Sequence, residues 1–501
     1  MRDELRNAMN EISDRHIAEA AQPPRRNRLP YRLGAMAAAL ALVMFAAFTA
    51  LDRGSGPDSV TDPTFVRLQQ ETQPYSISAV PLSCRIAAPE YPEQTAYPDF
   101  DEYENFNDYD EALSLWKASQ ATQYDQADGY ADSLETYFKE SIPVFLDSQD
   151  ENAVCSPLNI YMALAMLAET AGGNSRQQIL DLLGADSIES LRTQAGQVWN
   201  AHYRDDGLAT SLLGSSLWLD EGLSYNADVV KTLAESYYAS VFQGDLGSGE
   251  VNAQLQAWLN ENTRGLLADK VQNVSLAPNT SLALATTIYY QANWLTQFSE
   301  QYTTTDTFHG LTGDVECDFM HRTASQDVYY YGKDFGAVRL TLADGGDMWL
   351  ILPDKGVTPN DLLEQGDALA LAMSGGYWEN QGLYEINISL PKFDVSADFS
   401  LNEKLKSLGV TDVFDKNVSD FSAINVSGID GPTYLSDATH AARVTVDEKG
   451  VEAAAFTVMI CPSDGFPPEL EKIDFTLDRP FLFVVTSHDG LPLFVGTVYE
   501  P

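Results

Sequence analysis

Hydrophobic and polar positions change period along this chain. Tyr130 to Leu146 carries apolar residues at helical spacing, and Leu158 to Ala171 is apolar at nearly every position, the mark of a buried helix. Ser156 is placed to cap that second helix, and Pro157 falls at its first position, where a missing N–H does no harm. Gly172-Gly173 should end it. Val251 to Asn262, with Trp258, reads as an amphipathic helix closed by Thr263-Arg264-Gly265, and Leu401 to Leu408 as a further short helix. From Leu282 onward the runs predict strands: Ile288 to Gln291, Ala337 to Leu342, Met348 to Leu352, Tyr384 to Leu390 and Phe481 to Thr486. Helices mixed with many strands of non-local pairing predict an α+β fold without internal repeats.

One stretch breaks both periods, Val446-Asp447-Glu448-Lys449-Gly450-Val451-Glu452-Ala453-Ala454-Ala455-Phe456-Thr457. Asp447, Glu448, Lys449 and Gly450 read as the end of a strand and a joint, since glycine tolerates backbone angles that other residues avoid. Beyond the joint, a period of two puts Val451, Ala453, Ala455, Thr457 and Met459 on one face, small and mostly apolar. Glu452, Ala454, Phe456 and Val458 take the other. Such a segment can enter a crowded sheet as an extra strand. The residues alone leave a short helix open, because Glu-Ala-Ala-Ala favours one.

The first 124 residues have a different character. Residues 1–32 are polar, with Arg25, Arg26, Arg28 and Arg32 just before Leu33 to Leu51, nineteen residues without a charge. That run approaches the ~20 residues a membrane-crossing helix needs, and the arginines before it predict a cytoplasmic N-terminus. A cleaved signal peptide is the alternative, although its apolar core is usually about 7–15 residues and the small-residue cleavage pattern is poor here. The expectation is a cell-membrane protein with its domain outside the cell, or a secreted one if residues 1–50 are removed. Prolines 57, 63, 74, 81, 89, 92 and 98 and the acidic, aromatic Asp99-Phe100-Asp101-Glu102-Tyr103-Glu104-Asn105-Phe106 predict a largely extended stalk over 52–124, with a weak helix at Asp110 to Gln120. The interleaved aromatics leave docking on the domain open. The globular part, 125–501, begins near Asp125.

A formal charge of -43 argues against nucleic acid or an anionic lipid surface as partner for the bulk of the protein. Cys84, Cys155, Cys317 and Cys461 lie far apart and form no zinc or redox spacing. No His-Glu-x-x-His, Gly-x-Ser-x-Gly elbow, phosphate loop or dinucleotide fingerprint occurs, so no metal, cofactor or enzyme activity is expected.

Gly450 to Thr457 resembles the hinge of the serpin reactive-centre loop. The resemblance extends to Asn152-Ala153-Val154-Cys155-Ser156-Pro157-Leu158-Asn159-Ile160, to Thr286-Thr287-Ile288-Tyr289-Tyr290-Gln291-Ala292-Asn293-Trp294 followed by Phe298, and to Leu390-Pro391-Lys392-Phe393. Asp437-Ala438-Thr439-His440-Ala441-Ala442, Asp478-Arg479-Pro480-Phe481-Leu482-Phe483 and Phe494-Val495-Gly496-Thr497-Val498 follow in the family's order. The chain is similar to membrane-anchored or secreted bacterial serpins. That similarity implies helices packed around a large mixed sheet, an exposed loop and a monomer that traps a target serine protease, or a cysteine protease, in a covalent 1:1 complex. A surface binding protein that keeps the fold without trapping is the alternative. Signalling through the short cytoplasmic tail is a third.

The resemblance also assigns roles. Glu448 would pair with Lys392 beneath Trp294, and Gly450, Val451, Glu452, Ala453, Ala454 and Ala455 would form the hinge, with Val451 entering the sheet first. His440 matches a histidine beneath the sheet, and Ser156 belongs to the same set of sheet-opening residues. Where the family places a serine and an asparagine around that histidine, this chain has Asn159 and Thr286, an exchange expected to keep a similar hydrogen-bonding set, with an unusually labile sheet opening as the alternative. Counting about seventeen residues from Glu448 puts the scissile bond at Asp464, with Ser463 and Gly465 within one. Counting back from Pro480 gives Phe466 or Glu469. The forward count has the stronger physical basis, because the inserted strand must span the sheet.

Overall fold

The computed structural model describes residues 82–147, 150–272, 274–278, 280–426, 433–451 and 470–501. Two sheets organise these residues. The first has eight strands, with the path β1 (Arg85–Ala87), β5 (Ala239–Gly244), β4 (Ala209–Asp220), β6 (Leu282–Asn293), β14 (Gly450–Val451), β13 (Leu435–Val446) and β12 (Phe393–Ser400), and with β3 (Arg204–Asp205) joined to β4. The second has nine: β15 (Lys472–Thr476), β11 (Gln381–Pro391), β8 (Gly313–Gly332), β9 (Phe335–Thr341), β10 (Asp347–Pro353), β16 (Phe481–Thr486), β17 (Pro492–Val498) and β2 (Ala153–Cys155), with β7 (Thr304–Gly310) on β8. This is the α+β architecture that the alternation of helical and strand periods predicts.

β6 shows why one strand reads as a run rather than an alternation. Nearly all of its side chains are buried, because both of its faces are covered. On one side Trp218, Phe242 and Ala283 pack with Val251, Leu255, Trp258 and Leu259 of a helix spanning Gly249–Asn262. On the other lies the main core, which includes the helix Pro157–Thr170, buried at every position and capped by the Ser156 hydroxyl accepting from the Asn159 amide. β13 instead alternates buried and half-buried residues. Cys84, Cys155 and Cys317 are free thiols.

Two expectations are corrected. Residues 33–51 lie outside the described residues, and among the described residues no helix is long and apolar enough to cross a membrane. The placement at a cell membrane is corrected accordingly: no described helix supplies a span. Residues 82–124, expected to belong to an extended stalk, are instead docked on the domain. β1 pairs with β5 and forms the edge of the first sheet, Arg85 opposite Phe242 and Ala87 opposite Val241. Tyr91 stacks on Trp199 and Tyr203 at 5.4 and 5.2 Å between ring centroids. The helix Phe106–Ser119, opened by Asn105 accepting from the Asp108 amide, buries Leu113 and Trp116. Interleaved aromatics supply enough apolar surface to hold an acidic, proline-containing segment in place.

Candidate functional site at the top of the main sheet

β13 and β6 are parallel neighbours, but only in part. Their direct ladder runs from Leu435 opposite Leu282 to Ala441 opposite Thr287. Beyond it, residues 442–445 and 288–291 share no ladder, and contact resumes only through β14, where Val451 stands opposite both Val446 and Ala292 and Gly450 opposite Asn293. The chain therefore turns back at the end of β13 and places the first two hinge residues between the two strands.

Local chemistry fixes this turn. The Asp447 carboxylate accepts from the Lys449 and Gly450 amides at 2.8 and 3.1 Å, and the Asp447 amide donates to the Gly450 carbonyl at 3.1 Å. Trp294, buried, donates its amide to the Lys449 carbonyl at 2.8 Å and its indole N–H to the Asp447 carbonyl at 2.9 Å. The Phe298 amide donates to the Glu448 carbonyl at 3.0 Å. Gly450 is required by space: a Cβ there would stand 2.3 Å from the Ala292 carbonyl oxygen and 2.6 Å from the Asn293 Cα. Glu448 is buried and meets Lys392 Nζ at 2.8 Å and the Thr303 hydroxyl at 2.7 Å. Burial opposes ionisation of this carboxyl, but the bonds from Lys392 and Thr303 outweigh it and hold it below the usual range. Lys392 is half-exposed, so the pair is worth on the order of 1 kcal/mol. Thr303 is a partner that sequence reasoning missed, since nothing nearby marks it.

Further down the same seam, His440 stands opposite Thr286 in register and is fully buried. Its Nε2 accepts from the Ser156 amide at 3.0 Å, and Phe399 packs edge-on at 5.6 Å between ring centroids. The expected exchange of hydrogen bonds fails here. The Asn159 amide group, the Thr286 hydroxyl and His440 Nδ1 are buried without a hydrogen-bond partner among the described residues. The helix backbone at Ser156 has taken the one ring nitrogen that bonds, which leaves the two exchanged side chains unused. Each unsatisfied group costs about 1–3 kcal/mol, so the seam between β6 and β13 is weakened where it is closed. Glu452, Ala453, Ala454 and Ala455, and the scissile candidates Ser463, Asp464, Gly465 and Phe466, lie outside the described residues.

The sequence model of the family described as Serpin (serine protease inhibitor) matches residues 143–501, well over half of the chain. The chain belongs to the serpin family. A serpin of Arabidopsis thaliana, Serpin-ZX, is 29% identical over 370 residues, covering 71% of this chain and 93% of the relative. Serpin-Z1A of Triticum aestivum is 30% identical over 375 residues, covering 71% and 91%. Among solved structures, the native state of Tengpin, a thermophilic serpin, superposes with a TM-score of 0.65 at 25% identity over 75% of this chain and 95% of that one. The relatives found include plant and mammalian serpins, which removes the support for a bacterial, membrane-anchored subgroup. Serpins as a family are protease inhibitors rather than catalytic enzymes, and residues 82–142 precede the part that the family model matches.

Three outcomes follow from this geometry. Gly450→Ala should force the hinge out of the sheet, making the 448–451 segment at least about tenfold more susceptible to limited proteolysis; unchanged cleavage would contradict the close approach. Thr286→Val keeps the shape and removes an unpartnered hydroxyl, so it should raise native stability by about 1 kcal/mol in urea denaturation, where a loss would mean that the hydroxyl is bonded. Burial without a charged partner lowers the His440 pKa to about 3. Its neutral form therefore contributes stability that is complete above about 6.5, the unfolded value, and is lost as pH falls toward 3. His440→Asn should flatten the stability profile in that window by about one proton, and an unaltered slope would contradict the assignment.

Proposed function

We propose that this serpin is an irreversible suicide-substrate inhibitor of serine endopeptidases, with cysteine endopeptidases as further targets. The observation that supports the reading is the hinge: Gly450 and Val451 occupy the ladder between β6 and β13, next to a stretch where those strands share no bonds. In this mechanism the protease attacks the loop as substrate, and its serine oxygen forms an ester with the scissile carbonyl while the C-terminal side leaves as an amine. The freed N-terminal side then continues along the path that Val451 begins. Ladder bonds worth about 0.5–1.5 kcal/mol each, together with burial of the small face of the loop, release on the order of 10 kcal/mol over a dozen residues. The tethered protease is carried along the sheet, and loss of even one oxyanion donor slows deacylation roughly 10²–10³-fold.

The scissile bond is assigned to Asp464, with Ser463, Gly465 and Phe466 as neighbouring candidates. Asp464 would select an aspartate-directed protease, and Ser463 an elastase- or subtilisin-like one. No cofactor takes part, and the working unit is a monomer in a 1:1 complex. Incubation with elastase, subtilisin and an aspartate-directed protease should give, with one of them, an adduct of summed mass that survives boiling, and the first residue of the released C-terminal peptide then identifies the bond. Clean cleavage by all three without an adduct would overturn this reading in favour of a non-inhibitory binding protein of the same fold.

A further inference from the structure

Residues 82–124 do more than cover the surface. Tyr289 and Tyr290 are consecutive on β6, within the stretch that shares no ladder with β13, and consecutive strand residues face opposite sides of a sheet. Both lead to the same short connection, the 203–206 turn, which carries β3 between the helix Ile188–His202 and β4. On one side the Tyr290 hydroxyl donates to Asp344 at 2.8 Å, the Asp344 carbonyl accepts from Arg204 at 3.2 Å, and Arg204 Nε donates to Asp206 at 2.9 Å. On the other, the Tyr289 ring carries the Arg264 guanidinium 5.5 Å from its centroid, and Arg264 donates to Asp205 at 2.7 Å.

The same turn is gripped from outside by the N-terminal segment. The Trp116 indole N–H donates to the buried Asp206 carboxylate at 3.0 Å, and the Tyr97 amide to the Asp206 carbonyl at 2.6 Å. Gln94 bridges the turn, donating to the Tyr203 carbonyl at 3.0 Å and accepting from the Asp205 amide at 2.7 Å. Gln123 donates to the same Tyr203 carbonyl. Upstream, Ser83 and Cys84 hydrogen-bond Gln254 of the helix over the sheet, and β1 is laddered to β5. Tyr91 lies on Trp199, in the helix that leads into the turn. The segment is thus bonded at one end to the sheet edge and its covering helix, and at the other to the turn that holds β6 by both faces.

We propose that residues 82–124 act as a built-in brake on the parting of β6 from β13, with Trp116 and Asp206 as positioning residues that act through the 203–206 turn on Tyr289 and Tyr290. For the gap to widen, β6 must move, and it carries β4 and β5, and with them β3 and β1, through their ladders. The helix Ile188–His202 is instead tied to the core helix Pro157–Thr170, Arg192 to Glu169 and Gln194 to Tyr161. The segment bonds both sides, with β1 on β5 and Trp116 on Asp206 against Tyr91 on Trp199, so the motion must shear it.

This inference rests on the inhibitory reading only in that the sheet must accept a strand, so its test needs no protease. The full chain is mixed with a synthetic peptide of its own residues 452–463 carrying Cys461→Ser, and uptake is timed by native-gel mobility. Trp116→Phe keeps the ring and removes the donor; it should speed uptake about fivefold or more. Tyr290→Phe should do the same, and the double variant should be no faster than the faster single one, because both cut one connection. Gln94→Ala, at a more exposed position, tests the same grip should Trp116→Phe fail to fold. The denaturation midpoint of the peptide-filled form should stay within about 2 °C of the wild-type value, whereas a merely structural loss would lower it in native and filled forms alike. Uptake within twofold of wild type in Trp116→Phe and Gln94→Ala, or single effects that multiply in the double variant, would overturn the brake. Faster uptake with no protease trapped would keep the brake and sink the inhibitory reading. No uptake by any variant would sink both.

Discussion

The structure depends on an interrupted ladder. β6 and β13 are neighbours in one sheet, yet they bond directly only from Leu435/Leu282 to Ala441/Thr287. Strand backbones within a sheet ordinarily satisfy one another, and an unpaired stretch is a standing template for another strand. Here the only residues described in that space are Gly450 and Val451, and Gly450 fits because nothing larger than hydrogen can stand against Ala292 and Asn293. Under the proposed function, the chain's own cut loop would complete the sheet here.

What closes the seam below is weak for a related reason. His440 spends its bonding nitrogen on the Ser156 amide at the start of a fully buried helix, while Asn159, Thr286 and the other ring nitrogen are left without partners. A core that wanted only stability would place apolar groups there. At the top, the Asp447 turn, the Trp294 bonds to its carbonyls and the Glu448–Lys392 pair hold the hinge in its starting position. A firm anchor above and a weakened seam below fix where the hinge starts and suit the proposed insertion.

Much of this was legible in the sequence, and for physical reasons. A helix buried on every side must be apolar throughout, so Leu158 to Ala171 announced itself. Glu448, Lys392 and Trp294 were placed together by family resemblance; Glu448 and Lys392 pair, while Trp294 bonds the carbonyls of Asp447 and Lys449 on either side of Glu448. The docking of residues 82–124 was hidden, because prolines and acids read as solvated chain and Tyr91 and Tyr97 follow no helical or strand period, while Trp116 in the expected weak helix carries no mark of what it packs against. Their partners, Trp199 and residues 203–206, lie about a hundred positions away. The exchange at Asn159 and Thr286 misled in another way. The donor and acceptor types balance on paper, but bonding requires distance and direction, which the packing around His440 does not supply.

The central claim is that the unbonded stretch between β6 and β13 receives the loop once it is cut. The most direct measurement is the thermal midpoint of the intact chain against the chain nicked once in residues 459–466 by a protease that it does not trap. The account predicts a rise of roughly 20 °C or more on nicking, as on the order of 10 kcal/mol of new ladder and burial is added. An unchanged or lower midpoint, with both fragments still associated, would show that the sheet stays as it is and contradict the account.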